Sequence, residues 1–216
     1  YSSAALYLYK IPVGLVERNI MTGKYNLGPA LHALGSLYLN TTNVMEAATP
    51  VIIRLNELTM ETVSMSIRNG PNIILVIKEE ARHPVRFHHH VGTILPAYST
   101  ATGKALLSEL ADDEIDGLFP EEKLHPLTSR TVATKAELKR ALEEIRRTGV
   151  SFDEGGAIEG LGGIASLIRD FRGKAVAAIS FSIPTFKMNP PGHDKFVTLI
   201  KMAASLVSYR LGYHDT

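Results

Sequence analysis

Residues 95–107, LPAYSTATGKALL, place small and hydroxylated residues and a Gly-Lys pair where a helix can begin. This arrangement is half of a phosphate-binding loop, whose backbone N–H groups hold the phosphates of a nucleotide. The full loop also needs a glycine five residues before the pair and a Ser or Thr after the lysine. The chain has Tyr98 and Ala105 at those two positions. The segment therefore excludes a phosphate-binding loop and leaves open what this helix start binds.

The same segment offers backbone hydrogen-bond donors. Ser99 or Thr100 can cap the helix, which leaves the N–H groups of Ala101, Thr102 and Gly103 without acceptors inside it. Those donors lie at the positive end of the helix dipole, where a carboxylate or a phosphate can bind. An ordinary capped helix, packed through its apolar residues, explains the pattern without any ligand and is the more common case.

A glycine-rich stretch occupies residues 150–170, VSFDEGGAIEGLGGIASLIRD. Asp153 ends an apolar strand start, where an inward-pointing carboxylate would need a partner. Glycines, among them Gly163, remove side chains here and would let the backbone approach a bound molecule. A surface loop rich in glycine has the same composition, so both interpretations stay open.

The strand at residues 175–183, AVAAISFSI, has two different faces. Alternation puts Ser180 and Ser182 on one face among small residues. It puts Ile179, Phe181 and Ile183 on the other face, which we predict to be core. The hydroxylated face would suit the floor of a pocket. A strand with one solvated face, common in antiparallel sheets, would have the same pattern.

Three adjacent histidines at residues 88–90 invite a metal-site interpretation. On a strand, His88 and His90 would face one way and His89 the other, and no Cys or paired Asp/Glu is near in sequence. We therefore predict no metal and no cofactor, and expect surface histidines or one that lines a pocket. Nucleophile-elbow and zinc-protease patterns are also missing from the sequence, so we do not expect an enzyme. A hydrolase that pairs Asp153 with a serine or a histidine is the weakest alternative.

The composition bounds the class of protein. The 216 residues are 45% hydrophobic and 21% charged, with a net charge of +1 and no cysteine. Such a chain can form one domain and part of another. It cannot form disulfides, and its net charge creates no general positive field that would attract nucleic acid. No apolar run reaches the about 18 residues of a membrane span, and the N-terminus has neither a signal peptide nor an initiating methionine. We expect a cytoplasmic protein with no membrane partner, whose sequence begins inside a longer chain.

The predicted elements place helices around a strand-rich region. A hairpin is predicted at residues 14–28, and helices at residues 29–39, 44–58, 99–110, 112–118, 134–148 and 193–211. Strands are predicted at residues 62–67, 73–78, 85–91, 150–152, 161–168 and 175–183. Helices that flank a group of strands predict an α+β fold with one central, mostly antiparallel sheet.

Four segments in this order resemble the IclR family of bacterial transcription regulators: GLVERN…TGKYNLGP, LPAYSTATGKALL, GVSFDEGGAIEGLGGIAS and GKAVAAISFS. The resemblance runs from Gly14 to the C-terminal helix. It implies a winged helix-turn-helix DNA-binding domain, a linker helix and a GAF-like effector-binding domain, in homodimers or homotetramers that repress or activate catabolic operons. Residues 1–27 would be the end of the DNA-binding domain with its wing, residues 28–42 the linker helix, and residues 43–216 the effector-binding domain.

The resemblance also implies the site residues. A small organic acid would place its carboxylate on the N–H groups of Ala101 and Thr102, while Asp153 accepts from a ligand hydroxyl. An aromatic wall leaves room for stacking, so an aromatic acid is one candidate. In the wing, Arg18 and Lys24 would contact phosphates of the operator DNA, although a solvated hairpin explains them equally well. The implied pocket residues are Phe87, Leu95, Ala101, Thr102, Asp153, Gly163, Ser180 and Ser182.

A ligand-dependent shift in population would connect the pocket to DNA. An effector that binds one arrangement of the protein more tightly favours that arrangement, and the linker helix would then change the spacing of paired DNA-binding domains. The alternative is a GAF-like small-molecule sensor module whose output is not DNA binding. The wing-like hairpin argues against that alternative.

Overall fold

The structure is a computed structural model that describes residues 14–81, 89–188 and 192–214, with the backbone alone at residues 31–43. The chain divides into two compact units, residues 1–43 and 44–216. In the first unit, strands β1 (Val16–Arg18) and β2 (Tyr25–Leu27) form an antiparallel hairpin, as the sequence predicted. The side chain of Asn19 accepts hydrogen bonds from two backbone N–H groups of the turn, and this fixes the turn locally.

A single helix, α1 (Ala30–Thr59), replaces the two helices predicted at residues 29–39 and 44–58. The predicted break was wrong because the poor helix formers at residues 40–43 each cost less than about 1 kcal/mol relative to alanine, which does not end a helix. Pro50 also lies within α1. The helix ends at Thr59, after which Met60 adopts a left-handed φ of 61°. The N–H of Met60 donates to the carbonyl of Asn56 at 2.7 Å and closes the last turn.

The second unit is built on a sheet of six strands, which are β3 (Thr62–Asn69), β4 (Asn72–Glu79), β5 (Ile94–Pro96), β6 (Ser151–Asp153), β7 (Leu161–Arg169) and β8 (Ala175–Pro184). Their order in the sheet is β5-β4-β3-β8-β7-β6, and every pair of neighbours is antiparallel. This sheet confirms the α+β class. Strand β5 was not predicted, and of the strand predicted at residues 85–91, residues 85–88 lie outside the described residues while residues 89–91 are not in a strand.

Helices cover both faces of this sheet. On one face, α2 (Ala101–Leu107), α3 (Asp112–Leu118) and α4 (Lys135–Thr148) form a core cluster that includes Ala178 of β8. On the other face, α5 (Gly192–Arg210) and the C-terminal half of α1 form a second cluster. The predicted core face of β8 is confirmed, because Ile179, Phe181 and Ile183 are fully buried in that second cluster.

The segment of the Gly-Lys pair forms a shorter helix than predicted. The structure has a 3-10 turn at Ala97–Ser99 before α2. The helix α2 ends at Leu107, and residues 108–110 form a turn instead of continuing it. Gly103 explains how this turn packs so closely on the helix. A Cβ at residue 103 would lie 2.1 Å from the carbonyl oxygen of Ala97, so only glycine fits.

Candidate functional site

A cavity of about 90 Å³ is lined by the sheet, the start of α2 and the glycine-rich loop at residues 154–160. This volume is below the roughly 300 Å³ at which pockets for drug-sized ligands begin, so the cavity suits a molecule of few atoms. Its apolar walls come from Ile73, Leu75, Leu95, Ala157, Ile158 and Leu161.

Strand register sets the floor of the cavity. One row of directly opposite residues runs across three strands, from Lys78 on β4 to Ser64 on β3 and Ser180 on β8. Opposite residues of neighbouring antiparallel strands share a face of the sheet. The Oγ atoms of Ser64 and Ser180 are 3.1 Å apart, and Thr102 Oγ1 donates to Ser180 Oγ at 3.1 Å. These three hydroxyls form a chain that connects the start of α2 to the centre of the sheet.

One hydroxyl proton of this chain takes no part in the hydrogen bonds within the chain. Three hydroxyls have three protons, and the two hydrogen bonds of the chain engage two of them. Because Thr102 donates to Ser180, the remaining proton is on Ser64 or on Ser180, depending on which serine donates to the other. The cavity therefore offers a serine donor as well as oxygen lone pairs.

A second row of opposite residues ends at a carboxylate. It runs from Thr62 on β3 through Ser182 on β8 and Gly163 on β7 to Asp153 on β6. Gly163 adds no side chain to this row, and a Cβ there would lie 2.9 Å from the Cβ of Ala101. The missing side chain lets the start of α2 approach β7.

The start of α2 contributes backbone donors. Thr100 is its N-cap, and Thr100 Oγ1 accepts a hydrogen bond from the N–H of Gly103 at 2.9 Å. Helical geometry leaves the N–H groups of Ala101 and Thr102 without acceptors inside the helix. Both residues line the cavity. Since α2 has only seven residues, its dipole is small, and these donors act mainly as individual hydrogen-bond groups.

Asp153 is held by groups of the protein itself. Its Oδ1 lies 3.3 Å from Nζ of Lys104, and both side chains are 8% exposed. Its Oδ2 accepts from the N–H groups of Gly155 at 3.3 Å and Gly156 at 2.9 Å. The partner that a buried carboxylate needs is therefore the lysine of the Gly-Lys pair. Lys104 binds a carboxylate of the chain where a phosphate-binding loop would bind phosphate.

Lys78 and His89 form a second polar part of the lining. The Lys78 side chain is 8% exposed, and its Nζ lies 2.9 Å from Oε1 of Glu80, whose side chain is 43% exposed. Burial, the charge of Lys78 and then that of His90 lower the pKa of His89 below its ordinary value. A histidine with a lowered pKa is neutral at neutral pH and can donate or accept a hydrogen bond.

The structure brings most of the predicted pocket residues together in one cavity, and one of the adjacent histidines, His89, lines it as well. Phe87, the predicted aromatic wall, lies outside the described residues. Ser64, Ser66 and Lys78 also line the cavity and were not predicted. The alternation in TVSMSI at residues 62–67 contained the signal for the two serines, since it has hydroxyls on one face and apolar groups on the other. The predicted residues in the lining are Leu95, Ala101, Thr102, Asp153, Gly163, Ser180 and Ser182.

Arg18 and Lys24 lie in the hairpin of the first unit, and both side chains are exposed. The N–H of Asn19 donates to the carbonyl of Lys24 at 2.8 Å, so the two basic residues flank one turn. Within the described ranges, no group of three or more His, Asp or Glu residues could hold a metal ion. None of the helices described is both long and apolar enough to cross a membrane.

Comparison with known proteins identifies the family. Residues 36–209 match the family model described as bacterial transcriptional regulator IclR C-terminal. The HTH-type transcriptional repressor AllR of Klebsiella pneumoniae is 32% identical over 215 residues, which cover 97% of this chain and 78% of that protein. AllR of Escherichia coli K12 is 32% identical over 200 residues, 91% of this chain and 73% of the relative. These relatives are repressors and not enzymes.

Two solved structures are similar over nearly the whole chain. The Agobacterium tumefaciens repressor BlcR has a TM-score of 0.75 and 28% identity, covering 98% of this chain and 84% of its own. An IclR homolog from Microbacterium hydrocarbonoxydans, complexed with 4-hydroxybenzoate, has a TM-score of 0.73 and 25% identity, covering 98% and 86%. The chain therefore belongs to the IclR family of transcriptional regulators, and its C-terminal domain is the effector-binding domain of that family.

Proposed function

We propose that the effector of this regulator is a small organic acid that binds in the cavity and alters operator binding or the activation of a catabolic operon. The observation that carries this proposal is the convergence of backbone N–H groups and serine hydroxyls on one small cavity with apolar walls. The 4-hydroxybenzoate bound by the Microbacterium homolog supports an acid as ligand, and an aromatic acid as one candidate.

The carboxylate of the acid would bind the N–H groups of Ala101 and Thr102. Ser180 and Ser182 would donate to, or accept from, the polar groups that remain, since the hydroxyl chain has a proton to spare. Leu95 would contact the apolar part of the acid, as would Phe87.

Asp153 would have three roles in this arrangement. It positions the glycine-rich loop through the N–H groups of Gly155 and Gly156, and it neutralises Lys104. Each carboxylate oxygen has two lone pairs, so Asp153 would still accept a hydrogen bond from a ligand hydroxyl. Its substitution would therefore disturb the loop as well as the ligand, which makes Ser180 the cleaner position for a test.

The response would pass from the effector-binding domain, residues 43–216, through the linker helix, residues 28–42, to a DNA-binding domain that residues 1–27 complete with its wing. An effector shifts the population only by its difference in affinity for two arrangements of the protein. Arg18 and Lys24 would contact DNA phosphates and position the wing without reading sequence. The protein would act in the cytoplasm.

A homodimer or homotetramer would carry the paired DNA-binding domains. Met202, Leu206 and Tyr209 follow one another at helical spacing on α5 and are 63%, 45% and 62% exposed. Such an apolar stripe supports a contact between subunits. Light scattering coupled to size exclusion would measure the oligomeric state, and a monomer at micromolar concentration would refute this part of the proposal.

A thermal-shift screen with keto, hydroxy and aromatic carboxylic acids, each beside its amide, tests the effector class. A ligand at 100 times its dissociation constant adds about 2.7 kcal/mol to the free energy of unfolding. We expect an acid to stabilise the chain where its amide does not, and Ser180→Ala to abolish the effect. Ser205→Ala, an exposed serine on α5, is the matched control. Stabilisation by acid and amide alike would contradict the proposal.

A further inference from the structure

The cavity has a second polar end on β4, two strands away from Ser180 in the sheet. Lys78 lies opposite Ser64, and Ser64 lies opposite Ser180, which accepts from Thr102. Neighbouring strands are about 4.8 Å apart, so the backbone at Lys78 is roughly 10 Å across the sheet from the backbone at Ser180. The Lys78 side chain shortens this separation, because it also lines the cavity. The two ends are therefore separated by the length of a short organic molecule.

Lys78 brings a buried charge to this end. Its side chain is 8% exposed, whereas that of its partner Glu80 is 43% exposed. An ammonium group donates three hydrogen bonds, so the contact with Glu80 does not prevent Lys78 from binding a ligand oxygen as well. Water screens the charge of Glu80 more than that of Lys78. At the other side of the cavity, Lys104 and Asp153 are equally buried and cancel each other. Among the described residues that line the cavity, Lys78 is the one lysine or arginine.

His89 adds a neutral hydrogen-bonding group beside the lysine. It lines the cavity, and the charge of Lys78 is one of the causes that lower its pKa. A neutral imidazole can donate to a carboxylate oxygen without adding a second charge. An anionic group of the ligand would therefore have a charged donor and a neutral donor at this end, as it has two backbone donors at the start of α2.

We propose that Lys78 is a specificity-determining residue that binds a second carboxylate, so that the preferred effector is a short dicarboxylate. One carboxylate would bind the N–H groups of Ala101 and Thr102, and the other would bind Lys78. The hydroxyl chain of Ser64 and Ser180 would bind polar groups between them. This inference rests on the proposed function, because it names the class of acid that the same cavity takes.

The test is isothermal titration calorimetry of the chain with succinate, glutarate and adipate, each beside its monoamide. We expect at least one diacid to bind about ten-fold or more tightly than its monoamide, since a hydrogen bond to a charged group is then gained. Lys78→Met should reduce the affinity for that diacid to the level of the monoamide and leave the monoamide unchanged. Lys78→Arg should retain the preference. Lys195→Met, an exposed lysine of α5, is the matched control and should change neither affinity.

Several results would overturn the role of Lys78. One is equal affinity of the wild-type chain for each diacid and its monoamide. Another is that Lys78→Met lowers the affinity for the diacid and the affinity for the monoamide by the same factor. If monocarboxylates bind and no diacid is preferred, the acid effector stands and only the inference about Lys78 fails. If no carboxylate binds, both fail. Should Lys78→Met not fold, Glu80→Gln serves instead. It should tighten diacid binding relative to the monoamide, and an unchanged ratio would refute the inference.

Discussion

Lys104→Met should leave the carboxylate of Asp153 buried without its cation and lower the free energy of unfolding by about 3 kcal/mol. Both side chains are 8% exposed, and Nζ lies 3.3 Å from Oδ1. At an effective dielectric constant of about 20, Coulomb's law gives an attraction of roughly 5 kcal/mol at this distance. Removing one partner of a buried pair typically costs about 3–5 kcal/mol. We expect the low end because Gly155 and Gly156 continue to donate to Oδ2.

Urea unfolding followed by circular dichroism measures this loss. Lys195→Met makes the same substitution at an exposed position of α5 and should change stability by less than about 0.5 kcal/mol. Adding Asp153→Asn to Lys104→Met removes both charges, so the double variant should be more stable than Lys104→Met alone. A loss below about 1 kcal/mol in Lys104→Met, or a double variant that recovers nothing, would refute the view that these two groups form a coupled buried pair.

Three further predictions concern a glycine contact, a titrating group and the hairpin of β1 and β2. Gly103→Ala places a Cβ 2.1 Å from a backbone carbonyl oxygen and should lower stability by about 1–3 kcal/mol. Gly117→Ala in α3, where a Cβ has no atom within 4 Å, should raise stability by up to about 1 kcal/mol; thermal melts that rank the two the other way would contradict the packing argument. The lowered pKa of His89 means that the unfolded chain binds protons more readily. The free energy of unfolding should therefore fall as the pH drops through about 6.5. His89→Gln should flatten this part of the stability profile, and an unaltered profile would contradict the assignment of this pH dependence to His89. In the full regulator, Arg18→Ala with Lys24→Ala should weaken operator binding and reduce its logarithmic salt slope by about 2, as measured by fluorescence anisotropy. An unchanged slope would mean that the hairpin does not contact phosphates.

Features that depend on neighbouring residues could be predicted from the sequence. The two faces of β8 follow from alternation alone. The sequence offered Ser99 or Thr100 as the cap of α2, and Thr100 is the residue that caps it. The break predicted before residue 44 was wrong. The low helix propensity of residues 40–43 is a weak effect, and α1 continues through them into the buried stripe of Ile52 and Leu55.

Features that depend on register could not be predicted. Lys104 and Asp153 are 49 positions apart in the sequence, and neither segment indicates that its charge has the other as partner. In the sequence, Lys78 is only the last residue of the strand predicted at residues 73–78. Only the pairing of β4 with β3, and of β3 with β8, puts it in one row with two serines. A single sequence shows which residues share a face of a strand, but it does not show which strands pair in the sheet.

The position of β8 between β3 and β7 has a consequence for the newly made chain. The two serines of the hydroxyl chain, Ser64 and Ser180, are separated by 116 positions. A ribosome that adds about 5–20 residues per second makes the second serine roughly 6–23 s after the first. Until then β3 can pair with β4 alone, and its other edge is open to strands of other chains. If the cavity is the effector site that we propose, the chain can bind an effector only after β8 has been made and inserted, which also closes that edge of β3.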